Sequence, residues 1–223
     1  MNTQHAAPIE RRSRQAMAAR AAQDIAEGWC VNLGIGIPTM VADAIPAGRE
    51  VLIQSENGIL GMGPAPAADA VDPWIVNAGK QHVTLLPGAS LFHHADSFAM
   101  IRGGHLDLCL LGAFEVAANG DVANWSMSSG DQAPAVGGAM DLALGARRLW
   151  ILMEHNARDG RPKLLERCTL PLTAPGAVSR VYTDLAVLAI GPGGFEVLEM
   201  VPGLTRERLR ELTGAPLSFA PGV

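Results

Sequence analysis

The 223-residue sequence predicts a single-domain α/β protein, a mostly parallel open sheet flanked by helices with antiparallel strands added near the carboxyl terminus. Two observations carry that expectation. Apolar runs too continuous for a half-exposed sheet, such as Leu106 to Leu111 and Leu149 to Met153, alternate with short helical segments. Glycine and proline are abundant, 25 and 15 residues, while aromatics make up only 4%, which suits tight strand-to-helix turns and backbone-lined pockets.

Composition narrows the function classes. With 48% hydrophobic and 17% charged residues the chain buries a core and is not disordered. A net charge of −5 without a basic stripe argues against nucleic acid as a partner. No apolar run reaches the roughly 18 residues that a membrane helix needs. Arg11, Arg12 and Arg14 precede a stretch, Ala16 to Ala26, that Arg20, Gln23 and Asp24 interrupt, so it reads as an amphipathic helix and not a signal peptide. Cys30, Cys109 and Cys168 sit in apolar contexts with no metal-ligand spacing, as expected of reduced thiols in a cytoplasmic protein.

Taken in order, residues 1 to about 10 form a loose tail. Met17, Ala21 and Ile25 then recur at helical spacing within a helix from Arg11 to Glu27, which Gly28 stops. Trp29 to Leu33 reads as a strand that runs into Gly34-Ile35-Gly36 and a helix opened by Pro38 and continued to Ile45. A dinucleotide fingerprint would need glycine at position 39, where Thr39 stands, but the loop still offers backbone N–H groups to an anion or a developing oxyanion. Glu50 to Ser55 is the next strand, followed by a loop from Gly61 to Pro73. Trp74 to Val76 and Val83 to Leu86 read as short strands around Asn77-Ala78-Gly79-Lys80. Ser97 to Ile101 is a helical turn, and Leu106 to Leu111 a buried strand. Glu115 to Trp125 is a hairpin about Asn119-Gly120. A flexible stretch, Gly130 to Gly138, enters a helix from Ala139 to Leu144. Strands follow at Leu149 to Met153, Val178 to Tyr182, Leu185 to Ile190 and Phe195 to Met200, then a helix from Thr205 to Leu212.

The chain is organised around Gln54-Ser55-Glu56-Asn57-Gly58-Ile59-Leu60-Gly61, where an apolar strand breaks off into a carboxylate. Open α/β sheets build their sites beyond the carboxyl ends of strands, so Glu56 is the candidate nucleophile. His93-His94 invites a metal reading, but neighbours on a strand face opposite ways and no further ligand lies nearby, so no metal is expected. Lys80 and Arg102 are candidates for a carboxylate or phosphate, and each has a plain surface explanation. His155 and Glu154 are treated with the same reserve.

Four motifs in order, Asn32-Leu33-Gly34-Ile35-Gly36-Ile37-Pro38, Ser55-Glu56-Asn57-Gly58, Asn77-Ala78-Gly79-Lys80 and Gly137-Gly138-Ala139-Met140-Asp141-Leu142, resemble the B subunit of family I CoA-transferases. Ala123-Asn124-Trp125-Ser126 and Arg180-Val181-Tyr182-Thr183-Asp184 are most similar to its 3-oxoadipate branch. The resemblance implies CoA transfer from succinyl-CoA to a 3-oxoacid through a glutamyl-CoA thioester on Glu56. It also implies an A subunit as partner, in a heterodimer or an A2B2 assembly. The CoA thioester is then a substrate, and no tightly bound cofactor is expected. Oxyanion and CoA contacts fall on Asn32, Gly34, Gly36, Asn57, Gly58, Gly137 and Gly138. Where some 3-oxoacid transferases carry basic residues, this chain has Ser128-Ser129-Gly130-Asp131-Gln132, which leaves the acceptor acid open between 3-oxoadipate and acetoacetate or butyrate types. Two further readings remain on the same fold: a sugar-phosphate isomerase relative with Glu56 as base, or a module that binds a CoA ester without turnover.

Overall fold

A computed structural model describes residues 9–127 and 135–223. The first eight residues of the expected tail, the Ser128–Gln132 segment and most of the stretch expected to be flexible before the third helix lie outside the described residues. Ile9, expected in that tail, packs against the core.

The helices are α1 (Arg14–Gln23), α2 (His94–Arg102), α3 (Ala139–Gly145) and α4 (Arg206–Leu212), with a 3₁₀ helix over Ile37–Ala44. The strands are β1 (Cys30–Leu33), β2 (Leu52–Ser55), β3 (Ile59–Met62), β4 (Leu85–Leu91), β5 (Leu108–Leu111), β6 (Glu115–Ala117) and β7 (Val122–Ala123). They continue with β8 (Leu149–Leu152), β9 (Leu164–Leu165), β10 (Val178–Tyr182), β11 (Ala186–Gly191), β12 (Gly194–Met200) and β13 (Leu217–Phe219). A ten-stranded sheet runs β13-β12-β11-β10-β8-β5-β1-β2-β3-β4, and β7-β6-β9 forms a small second sheet.

The centre of the large sheet, β2-β1-β5-β8-β10, is parallel. Residues of β5 and β8 are buried on both faces, which is why these strands read as unbroken apolar runs. Alternation decides which face each side chain serves. Cys109, Leu111, Leu149 and Ile151 join Ile101 of α2 and Leu142 of α3, whereas Leu108, Leu110, Trp150 and Leu152 pack with Ala18, Ala21 and Ile25 of the first helical segment. On both sides of this centre the sheet turns antiparallel, β10-β11-β12 as expected and β2-β3-β4 in addition, and β13 then pairs parallel with β12 at the outer edge.

That second antiparallel edge corrects the expected loop from Gly61, because the chain reverses at Glu56–Gly58 directly into β3, with Ser55 opposite Ile59. Asn57-Gly58 is the same dipeptide signal that located the hairpin at Asn119-Gly120. The strand expected over Val83–Leu86 instead becomes β4, which runs to Leu91 through Pro87 and Gly88. A proline is tolerated there because β4 is an edge and one side needs no N–H donor. Trp74–Val76 makes only a single bridge, Val76 to His82. Helix α1 starts at Arg14, later than expected, because the Ser13 hydroxyl accepts from the Ala16 N–H at 3.1 Å and caps it.

Candidate active site

The parallel centre of the sheet sets the place of the site. The carboxyl ends of β1, β5 and β8 and the turn after β2 line a cavity of about 790 Å³ with Asn32, Gly34, Glu56, Gly112 and Met153 on its wall. A second hollow of about 560 Å³ is lined by Glu56, His94, Ala95, Phe98, Arg102, Gly137 and Gly138. Glu56, Gly137 and Gly138 belong to both.

Glu56 is held in a tight reversal. The Gly58 N–H donates to the Ser55 carbonyl at 3.0 Å, and Gly58 adopts a φ of 114° with its α-carbon pressed against the Phe92 carbonyl, where a Cβ would collide. The Ser55 hydroxyl accepts from the Ala78 N–H at 3.0 Å, and Asn57 Nδ2 donates to the Val76 carbonyl at 2.7 Å, so the 74–83 loop is pinned to the turn. Asn57 and Gly58 therefore shape the turn and do not line either cavity.

The carboxylate lies against backbone. A Cβ added to Gly138 would stand 2.6 Å from Glu56 Oε2 and 2.8 Å from the Phe98 ring, so a side chain there would displace the carboxylate or the ring from its place. Gly34 lines the large cavity, while Gly36 does not and instead stands at the start of the 3₁₀ helix. Asn32 is buried on the cavity wall, and its Nδ2 donates to Gln54 Oε1 at 2.6 Å and to the Gln54 carbonyl at 3.3 Å.

Burial pushes the Glu56 carboxyl above the ordinary carboxylate range, and His94 nearby works against that shift. A carboxylate raised in this way is a stronger nucleophile than a solvated one.

Histidines 93 and 94 are not on a strand: His93 caps α2, its Nδ1 accepting from the Ala95 N–H at 3.1 Å, and His94 opens the helix. His94 thereby comes beside Glu56, which sequence reasoning missed because the helix was expected to start at Ser97. Arg102 forms a forked ion pair with Asp141 at 2.8 and 3.0 Å. Lys80 stands in the loop with a φ of 62° and does not line either cavity. His155 is fully buried and lines neither cavity, whereas its neighbour Glu154 is on the wall of the large one. Lys163, not singled out from the sequence, is the one lysine or arginine among the described residues of the large cavity, and burial lowers its ammonium against the pull of Glu154 and Asp184. Among the described residues no group of His, Cys, Asp and Glu is placed to hold a metal ion, and no helix is long and apolar enough to cross a membrane.

Comparison with known proteins extends the same picture over the chain. The model of the family described as coenzyme A transferase matches residues 14–212. The B subunit of the 3-oxoadipate CoA-transferase of Acinetobacter baylyi is 52% identical over 92% of this chain and 94% of its own length. Its namesake from Pseudomonas putida is 54% identical over 92% and 96%. The crystal structure of the apoenzyme of the acyl-CoA transferase YdiF from Escherichia coli O157:H7 shares the fold, with a TM-score of 0.73 at 18% identity over 94% of this chain and 42% of that one. A family match of this extent, reinforced by relatives identical at half their positions, establishes that the chain belongs to the coenzyme A transferase family.

Proposed function

We propose that this chain is the B subunit of a CoA-transferase that moves CoA from succinyl-CoA to a 3-oxoacid, 3-oxoadipate first among them, with Glu56 as the covalent nucleophile. The observation that carries the reading is the meeting of two cavities at Glu56, Gly137 and Gly138. An acyl-CoA has two arms on its reacting carbonyl, and a carboxylate between two hollows can meet that carbon with one arm in each. The 52–54% identity to relatives named for 3-oxoadipate supports the choice of acceptor.

The chemistry follows from the carboxylate. One Glu56 oxygen attacks the thioester carbonyl, the C–S bond breaks, and CoA leaves as thiolate from a mixed anhydride. The thiolate then attacks the glutamyl carbonyl and expels succinate, which leaves a glutamyl-CoA thioester. The acceptor carboxylate repeats the sequence in reverse and regenerates Glu56. Every intermediate stays activated, no net proton moves, and no tightly bound cofactor is required.

A serine ester would discard that activation. A carboxylate is a modest nucleophile, so positioning must supply up to about 7–11 kcal/mol and each oxyanion donor about 3–4 kcal/mol. Asn32 and a backbone N–H of Gly137 or Gly138 are the donors in this reading. A partner A subunit completes the assembly, which accords with Ile35 at the cavity mouth and Trp74 standing 75% and 88% exposed.

The test is chemical trapping in the co-expressed pair. After incubation with acyl-CoA, borohydride reduces a glutamyl thioester and changes the mass of the peptide bearing Glu56, whereas a carboxylate acting as a base leaves that mass unchanged. Glu56→Gln abolishes exchange with the fold intact, and normal turnover in that variant would rule out the mechanism.

A further inference from the structure

Behind Glu56 runs a buried polar chain contributed by three elements. Asn32 on β1, Gln54 on β2 and Ser97 on α2 are 3%, 1% and 0% exposed. Gln54 Nε2 donates to Ser97 Oγ at 2.7 Å, Asn32 Nδ2 donates to Gln54 Oε1 at 2.6 Å, and Asn32 Oδ1 lies 3.9 Å from Cys109 Sγ. Gln54 places a long polar side chain at a buried position of β2, which folding alone does not ask for.

The two ends of a side-chain amide are nearly the same shape, so its partners decide which way it points. Turning Gln54 alone would set two N–H groups against each other across the 2.6 Å contact. Turning both amides together would relieve that clash, but it would bring Asn32 Oδ1 against the Gln54 backbone carbonyl, which now accepts from Nδ2 at 3.3 Å and can only accept. The chain therefore has one favoured polarity, from Asn32 through Gln54 to Ser97.

The two bonds of Asn32 Nδ2 are unequal. The short one to Gln54 Oε1 orients the amide, while the long one to the carbonyl is at the limit of a hydrogen bond and is easily given up. We infer that Gln54, itself oriented by Ser97, is a positioning residue: it holds the Asn32 amide by one hydrogen so that the other passes to the oxyanion formed when Glu56 attacks. This rests on the proposed reading of Asn32 as an oxyanion donor.

A double-mutant cycle in the assembled enzyme tests it, using Asn32→Ala, Gln54→Met and both together. The measured quantities are kcat, KM for acyl-CoA and the rate of thioester formation on Glu56 without acceptor. Asn32→Ala lowers kcat about 100-fold or more. Gln54→Met lowers it about 10- to 100-fold, since misplacing a group that acts in the transition state costs rate, with KM nearly unchanged. The double variant is no slower than Asn32→Ala. A double variant slowed by the product of the two single effects would overturn the positioning role while leaving Asn32 a donor. Full kcat in Asn32→Ala would instead remove the donor reading, and the inference with it. Should Gln54→Met fail to assemble, Ser97→Ala takes its place in the cycle, with a smaller loss of kcat that again vanishes on the Asn32→Ala background. Persistence of that loss overturns the inference.

Discussion

The Asn32–Gln54–Ser97 chain and the cluster of His155, Thr183, Asp184 and Thr213 are both buried and both hydrogen-bonded, yet only the first borders a cavity. In the second, the Thr213 hydroxyl donates to the Leu209 carbonyl at 2.8 Å and so accepts from His155 Nε2 at 2.9 Å, while His155 Nδ1 and the Ala186 carbonyl both lie 3.1 Å from the Thr183 hydroxyl and compete for its one hydrogen. The His155 backbone N–H donates to Asp184 Oδ1 at 2.7 Å. Both ring nitrogens lie within hydrogen-bond distance of a threonine hydroxyl, and burial lowers the ring's pKa to about 4, which favours the neutral imidazole. The first cluster puts two side-chain amides, Asn32 and Gln54, on a cavity wall, whereas no member of the second lines either cavity. Burial and hydrogen bonding therefore do not distinguish a site from a support, but contact with a cavity does.

Substitutions on the two sides should separate activity from stability. Gly138→Ala brings a methyl group against Glu56 Oε2 and Phe98, and kcat of the assembled enzyme should fall by about 100-fold or more, as expected when a carboxylate and its oxyanion donors are displaced. His155→Ala should leave turnover per folded molecule unchanged. It should cost about 2–4 kcal/mol in urea unfolding through the lost packing and the two lost contacts to threonine hydroxyls.

Acid should reveal the same cluster. The folded His155 pKa of about 4 lies below the ordinary histidine value of 6.5, so its contribution is fully present above pH 6.5 and is lost as pH falls from there to 4. At most about 3 kcal/mol is at stake, and that segment of the pH–stability curve should flatten in His155→Ala. Glu56 has the opposite sign. Its folded pKa is raised, so its contribution is present below its unfolded pKa and lost as pH rises through the folded one. Glu56→Gln should therefore melt slightly higher than wild type at neutral pH, with the gain shrinking toward acid, the pattern of a group kept for chemistry and not for stability.

Much of the fold was legible because its signals are local. The runs Leu106–Leu111 and Leu149–Met153 mark strands covered on both faces, and Met17, Ala21 and Ile25 mark the buried side of the first helical segment. Other features were hidden by competing signals. Pro87 and Gly88 disguised β4, whose edge position makes them harmless. The apolar pair after Asn57-Gly58 was readable as a returning strand, but the Pro- and Gly-rich segment beyond it drew the chain toward a loop reading. His93 as a cap carried little local signal, because histidine is an uncommon residue in that place.

Order along the chain was enough to specify the parallel α/β core, the presentation of Glu56 beyond a strand end and the kinship with CoA-transferases, since periodicity and ordered motifs are properties of neighbours in sequence. Packing in three dimensions was needed to bring Gly138 against Glu56, to join Asn32 to Ser97 through Gln54, and to set His94 rather than Lys80 beside the carboxylate. These are contacts between distant segments, made when α2 and α3 pack onto the sheet. Which atoms meet there depends on strand order and helix placement, and no spacing along the chain encodes them.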